Sequence, residues 1–264
     1  MTLLQSLFLG ALQGVAEFLP VSSSGHLVLA RQVLKVGAVP ALFDVILHVA
    51  TLLVVLVVFR SLILRLLGTL GRFLARRSRP EDNTDLRLIV LVLVSTFFTA
   101  LIGFGLETLD METRPKMVSL LFLVTAGLLI TTRFTGGKRE YPDLKLKDGV
   151  AMGIAQGLGV LPGISRSGIT IAAALGLKMD RSRAGEFSFL LSIPAVAGAL
   201  ILELKDFGEL AGTVSPGVLL GGFLASALVG FLSLTMLLKL LRQGRLYLFA
   251  IYLIPLGTAG IFLL

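Results

Sequence analysis

Six long apolar runs constrain this chain more than any other feature: Ala41 to Phe59, Leu86 to Leu106, Met117 to Thr132, Phe187 to Leu204, Pro216 to Leu238 and Leu246 to Leu264. Each is close to the roughly 20 residues with which a helix crosses a hydrocarbon core of about 30 Å. A backbone in lipid must satisfy its own hydrogen bonds, so the runs are expected to be helices. Only 15% of residues are charged and 55% are hydrophobic, against about a quarter charged in a soluble domain. The expected fold class is therefore an all-α polytopic membrane protein, a single integral membrane domain over 1–264. Zero cysteines exclude disulfides, thiolate metal sites and a cysteine nucleophile. No Lys or Arg precedes Arg31, and no small-residue cleavage site follows a short apolar core, so the N-terminus is expected to belong to the mature fold.

The formal net charge of +8 sits in the short connections between apolar runs, where membrane topology explains it better than nucleic acid does. No nucleic-acid partner is expected; membrane lipids are. Three connections are strongly basic, Arg60 to Arg87, Arg133 to Lys147 and Lys239 to Arg245, and two are acidic or mixed, Glu107 to Lys116 and Lys205 to Ser215. Placing the basic ones on the cytoplasmic side threads all six spans without contradiction. Of the 24 Lys and Arg, only Arg31, Lys35, Arg114, Lys116, Lys205 and the internal Arg166 then lie elsewhere. This threading makes the two remaining apolar regions, 2–39 and 149–177, enter and leave on one face each, from opposite sides. They are expected to be re-entrant hairpins, with one full span in the N-terminal region and a cytoplasmic N-terminus as the alternative.

The two regions also resemble each other. Gln13-Gly14 is followed eleven residues later by Ser24-Gly25, and Gln156-Gly157 eleven residues later by Ser167-Gly168. Each holds a Leu-Pro pair and then hydroxyls, and each precedes three spans. The chain thus reads as an inverted repeat, 1–135 and 149–264, of one hairpin plus three spans each. Gly, Pro and Ser could merely kink ordinary helices in a single such region. Two matched, opposed regions favour a polar site where the halves meet near the bilayer midplane.

The chemistry of that site follows from its residue types. Ser22, Ser23, Ser24 and Gly25 open one helix, and Ser165, Arg166, Ser167 and Gly168 open another. Free N–H groups and a partial positive charge at helix starts favour an anion, and guanidinium makes phosphate the natural one. Glu17, with Gln13 one turn before it on the same face, is a carboxylate in a membrane helix and hence a functional candidate. Beside phosphate it repels its ligand unless a divalent cation, Mg²⁺ or Ca²⁺, lies between them or it carries a proton. His26 can serve Ser23 as general base, protonate a leaving group, or attack phosphorus itself. An inert structure would use the same residues as a serine cap, a histidine bonded to a backbone carbonyl, and a Glu17–Arg166 ion pair. His48 is expected to pack between helices, Asp44 and Glu186 to cap helix starts, and Arg181 and Arg183 to set topology or touch lipid headgroups.

Gln13-x-x-x-Glu17, Phe18-Leu19-Pro20-Val21-Ser22-Ser23-Ser24-Gly25-His26 and Leu161-Pro162-Gly163-Ile164-Ser165-Arg166-Ser167-Gly168-Ile169-Thr170 resemble the two signature regions of the undecaprenyl-diphosphate phosphatases, the bacitracin-resistance membrane phosphatases. Glu186-Phe187-Ser188-Phe189-Leu190-Leu191 resembles the segment after the second. The resemblance implies hydrolysis of a polyprenyl diphosphate to the monophosphate carrier lipid and inorganic phosphate, which recycles the carrier for cell-wall polymers. It further implies a divalent cation, a homodimer, and a site open to the outer face of a bacterial cytoplasmic membrane. By matching position, Glu17 and Gln13 form the acidic motif tied to metal or proton handling, Ser22, Ser23 and His26 the catalytic strip, and Ser165, Arg166 and Thr170 the hold on the diphosphate. Many relatives have Glu where this chain has Gln13, so a metal needing two carboxylates would be one short here. Ser23 and His26 both remain candidate nucleophiles. The rival class is a transporter or flippase of a phosphorylated lipid, which needs the anion site but no nucleophile.

Overall fold

The computed structural model describes residues 1–34, 36, 39–107, 109 and 114–263. Lys35 and most of the acidic connection after Glu107 lie outside the described residues. Among the described residues the regular structure is helical: α1 (Leu3–Phe18), α2 (Ser23–Val33), α3 (Ala41–Val58), α4 (Arg60–Leu74), α5 (Asn83–Glu107), α6 (Pro115–Thr131), α7 (Leu146–Leu158), α8 (Arg166–Gly176), α9 (Arg181–Glu203), α10 (Phe207–Thr213), α11 (Pro216–Arg242) and α12 (Leu248–Leu263), with three short 3₁₀ turns.

Every apolar run coincides with a helix. Four helical stretches are long and apolar enough to cross a membrane, 41–58, 80–106, 181–213 and 216–242, and α1, α6 and α12 are shorter apolar helices. The architecture is that of a multi-pass membrane protein. Two helices occupy stretches expected to be connections. α10 lies in one, and α4 runs through the basic connection after α3 because its residues alternate at helical spacing. Leu66 and Thr69 are buried, whereas Leu64, Leu67 and Leu74 are exposed. Arg65 reaches Asp85 at 3.0 Å, and Arg72 pairs with Asp82, so α4 is pinned to the start of α5.

The two broken regions fold back on themselves. α1 starts with a capping box between Thr2 and Gln5 and stops before Pro20, since a residue preceding proline leaves the helical region; Leu19 is extended. α2 restarts with Ser22 accepting from the Gly25 N–H. Gln5 Nε2 then donates to the Leu34 carbonyl at 3.4 Å, joining the far ends of α1 and α2. α7 and α8 are joined the same way by Arg139, which donates to the Leu177 carbonyl at 2.8 Å and to Asp148 at 2.6 Å. α2 and α8 have eleven residues each, a rise of about 17 Å, too short to cross the bilayer alone.

The halves exchange their first helices: α1 packs along α11, and α7 along α5, while α3 meets α9 and α6 meets α12. The α1–α11 contact needs small residues. A Cβ on Gly10 would lie 2.1 Å from the Gly222 carbonyl oxygen, the close backbone approach typical of membrane helix pairs. This exchange brings the two polar turns together, over a buried core that includes Phe18, Phe122, Phe187 and Phe189.

Candidate active site

The last turn of α1 presents Gln13 and Glu17, the turn after it presents Ser22 and Ser23, and the start of α8 presents Arg166. Glu17 gathers them. Its Oε2 accepts from Gln13 Nε2 at 3.0 Å and from the Ser23 hydroxyl at 2.7 Å, and its Oε1 pairs with Arg166 Nη2. A carboxylate buried this deeply is tolerable only with such partners.

The two turns are stitched directly. Ser22 Oγ accepts from the N–H of Gly25 at 3.4 Å and of Gly163 at 3.0 Å. To do so Ser22 adopts φ 72°, the left-handed region that costs a side-chain-bearing residue on the order of 1–3 kcal/mol and clusters at functional sites. Gly25 has no room for a side chain: a Cβ would sit 2.8 Å from Gly163 N and from the Phe122 ring. In the second turn, Ser165 caps α8 through the Gly168 N–H at 3.1 Å, its own N–H donates to Thr125 Oγ1 at 3.1 Å, and Ser167 Oγ donates to the Phe18 carbonyl at 3.3 Å. Ser24 is half-buried at the start of α2.

Several expectations need correction. His48 is no packing residue: its Nε2 lies 3.3 Å from Glu17 Oε2, with Nδ1 on the Asp44 carbonyl at 2.8 Å. Its position inside an apolar run was the available signal, since ionisable groups there face protein. Ser23 does not pair with His26; its hydroxyl goes to Glu17. His26 turns the other way, with Nδ1 on the Ser22 carbonyl at 2.8 Å and Nε2 on the Tyr252 hydroxyl at 2.8 Å. The spacing of three residues aligns Ser23 and His26 on one helix turn, but the backbone carbonyl claims the ring first. Thr170 lies wholly buried behind Arg166, donating to the Arg166 carbonyl at 2.7 Å and meeting Ser188 Oγ at 2.6 Å. Asp44 pairs with Arg31 at 2.5 Å, and Glu186 accepts from Tyr141 OH and from Arg183, each at 2.9 Å; Asp180, not Glu186, caps α9. Arg181 donates to the Thr132 and Thr135 carbonyls, tying α9 to the end of α6.

Two polar atoms at the centre are buried without a partner among the described residues: Gln13 Oε1, an acceptor, and Arg166 Nη1, a donor. They flank Glu17. A narrow crevice beside them is lined by Glu17, His48, Thr51, Arg166 and Ser192. The second hairpin offers no such carboxylate. Gln156, the counterpart of Gln13, donates to Thr99 Oγ1 and the Leu191 carbonyl, each at 3.2 Å, and Val160 stands one turn on. The arrangement thus combines a carboxylate, a hydroxyl hydrogen-bonded to it, and a guanidinium with a spare donor, next to two helix starts. Such a set can bind an anion and activate an alcohol toward it.

The family model of the bacitracin resistance protein BacA matches residues 6–259. Proteins named undecaprenyl-diphosphatase are similar along nearly their whole length. That of Treponema denticola is 46% identical over 97% of this chain and 96% of its own, that of Borrelia recurrentis 38% over 99% and 98%, and that of Desulfosudis oleivorans 42% over 96% of both. With the match covering both polar turns and the helices that carry them, the chain belongs to the bacitracin resistance protein BacA family.

Proposed function

We infer that this protein hydrolyses undecaprenyl diphosphate to undecaprenyl phosphate and inorganic phosphate. The observation that carries the site assignment is Arg166 Nη1, a buried guanidinium donor without a partner among the described residues, beside a serine whose hydroxyl already donates to Glu17 at 2.7 Å. The terminal phosphate of the lipid takes the free donor of Arg166 and the N–H groups at the starts of α2 and α8. Ser22, Ser24, Gly25, Ser165, Ser167 and Gly168 line or shape those starts. Glu17 accepts the Ser23 proton as Ser23 Oγ bonds to phosphorus and the bond to the bridging oxygen breaks, releasing the prenyl monophosphate. Water then cleaves the phosphoserine to phosphate and restores Ser23. His26 is the weaker candidate nucleophile because both its ring nitrogens are engaged.

A divalent cation fits this site as a partial one. Among the described residues no group of three acidic or histidine side chains could cage a metal. Mg²⁺, however, often takes one or two carboxylates and completes its shell with substrate phosphate and water. Glu17 and the unpartnered Gln13 Oε1 would hold it, and it would supply neutralisation of phosphate charge.

The membrane arrangement we propose is six spans and two re-entrant hairpins in an inverted repeat, in a bacterial cytoplasmic membrane, with the site reached from the outer face. It is supported by the shortness of α2 and α8, the return contacts of Gln5 and Arg139, and the reciprocal packing of α1 on α11 and α7 on α5.

Purified protein should release phosphate from farnesyl diphosphate. Arg166→Ala and Glu17→Ala should each lower turnover by at least about 100-fold, the scale of losing an acid–base or oxyanion group. Rapid-quench mass spectrometry should find phosphate on Ser23. Normal turnover in either variant, or phosphate on His26, would overturn these roles; lipid transport without phosphate release would select the transporter class instead.

A further inference from the structure

His26 opens α2 one turn after Ser22, and its contacts leave no freedom of tautomer. The Ser22 carbonyl can only accept, so the Nδ1 atom 2.8 Å from it carries the hydrogen. In the neutral ring, Nε2 then holds the lone pair and accepts from the Tyr252 hydroxyl, also at 2.8 Å. The ring plane is fixed as well. Phe122 of α6 meets the imidazole edge-on with centroids 5.0 Å apart, and the Tyr252 ring lies nearly parallel to it at 5.7 Å and 18°. Tyr252 stands on α12, 226 residues along the chain from His26, and is 50% exposed.

A half-exposed tyrosine on a membrane helix ordinarily turns its hydroxyl toward the lipid–water boundary. This one turns inward to a buried histidine. The contact needs the α6–α12 pairing that closes the second half of the fold onto the first, so the last helix of the chain completes the setting of the first turn.

We propose that Tyr252 is a positioning residue for the hydrolase reaction. Its hydroxyl holds His26 in the Nδ1–H tautomer with the Nε2 lone pair directed at α12, and a correctly held His26 is needed for turnover though not for binding the diphosphate. The inference rests on the hydrolase reading, and the test separates the two.

The chain has two histidines, so ¹⁵N-histidine labelling yields signals from His26 and His48 alone, assigned by their loss in His26→Asn and His48→Gln. Tyr252→Phe removes one oxygen and keeps the ring. It should shift the His26 Nε2 signal while leaving that of His48 in place, and lower kcat on farnesyl diphosphate by about 10-fold or more with KM changed less than about 2-fold. An unmoved His26 signal would overturn the hydrogen bond, and a moved signal with unchanged kcat would overturn the positioning role. Tyr252→Leu, which also removes the ring, should move the His26 signal in the same way; a signal that moves only in Tyr252→Leu assigns the contact to stacking and sinks the proposal. Should the wild-type protein release no phosphate, the hydrolase reading fails, and the kinetic half of the proposal falls with it.

Discussion

Glu17 is the residue on which the others depend. Its oxygens face Gln13, Ser23, His48 and Arg166, so a substrate phosphate that recruits Arg166 draws away one of the groups that make a buried carboxylate tolerable. His48 then stays beside it; with Nδ1 given to the Asp44 carbonyl, Nε2 can donate to Glu17 only from the doubly protonated ring. On this geometry His48→Leu should lower kcat by about 10-fold, whereas His48→Gln, which keeps an N–H toward Glu17, should retain most of it. Equal loss in both variants, measured as phosphate release at saturating substrate, would count against His48 as a hydrogen-bond donor to Glu17. At this scale the sequence was informative about which polar residues stand in apolar surroundings and less so about their partners. Glu17, Ser23, His26 and Arg166 stand out as polar groups in apolar surroundings. That Ser23 faces Glu17 and His26 faces Tyr252 depends on the turn at Ser22, whose positive φ is not legible from residue types.

Among the elements, α4 is the one the charge pattern concealed. Its arginines read as a cytoplasmic loop, yet two of them hold it against the start of α5. The Arg72 guanidinium, with the Arg79 N–H, holds the Asp82 carboxyl below the usual carboxylate range, at about 2. A depressed carboxylate pKa stabilises the folded form above the unfolded value near 3.9, and that contribution is lost as pH falls through about 2. The protection of α4 amides, taken relative to their intrinsic exchange rate at each pH, should therefore fall between about pH 4 and pH 2, and Asp82→Asn should remove most of that dependence. A variant with the wild-type profile would show that other groups anchor α4. The hairpin helices were legible for a clearer reason: each interruption pairs a proline, Pro20 or Pro162, with hydroxyls followed by glycine that restart a helix, whereas Pro194 and Pro255, without such a cluster of hydroxyls after them, lie inside α9 and α12.

For the whole molecule, the opposed orientation of the two halves is the decisive claim. The chain contains no cysteine, so single cysteines can report sidedness without background. A cysteine at Lys138 or Arg76 should react with a membrane-impermeant thiol reagent only in inside-out vesicles, and one at Gly212 only in right-side-out vesicles. Labelling of all three from one side would break the inverted repeat.

Apolar runs and basic connections were enough to establish a helical membrane chain, and two matched polar interruptions marked where its polar groups gather, because lipid enforces internal hydrogen bonding and charge asymmetry over short local stretches. Family membership followed from the same residues read in order. Only the tertiary structure decided which groups touch: α1 crosses to α11, α7 to α5, and α12 closes on α6, so Glu17 meets Arg166 and His48, and His26 meets Tyr252. Those contacts join residues far apart in the chain, set by helix packing at small side chains and by one left-handed serine, and no local pattern encodes such distances.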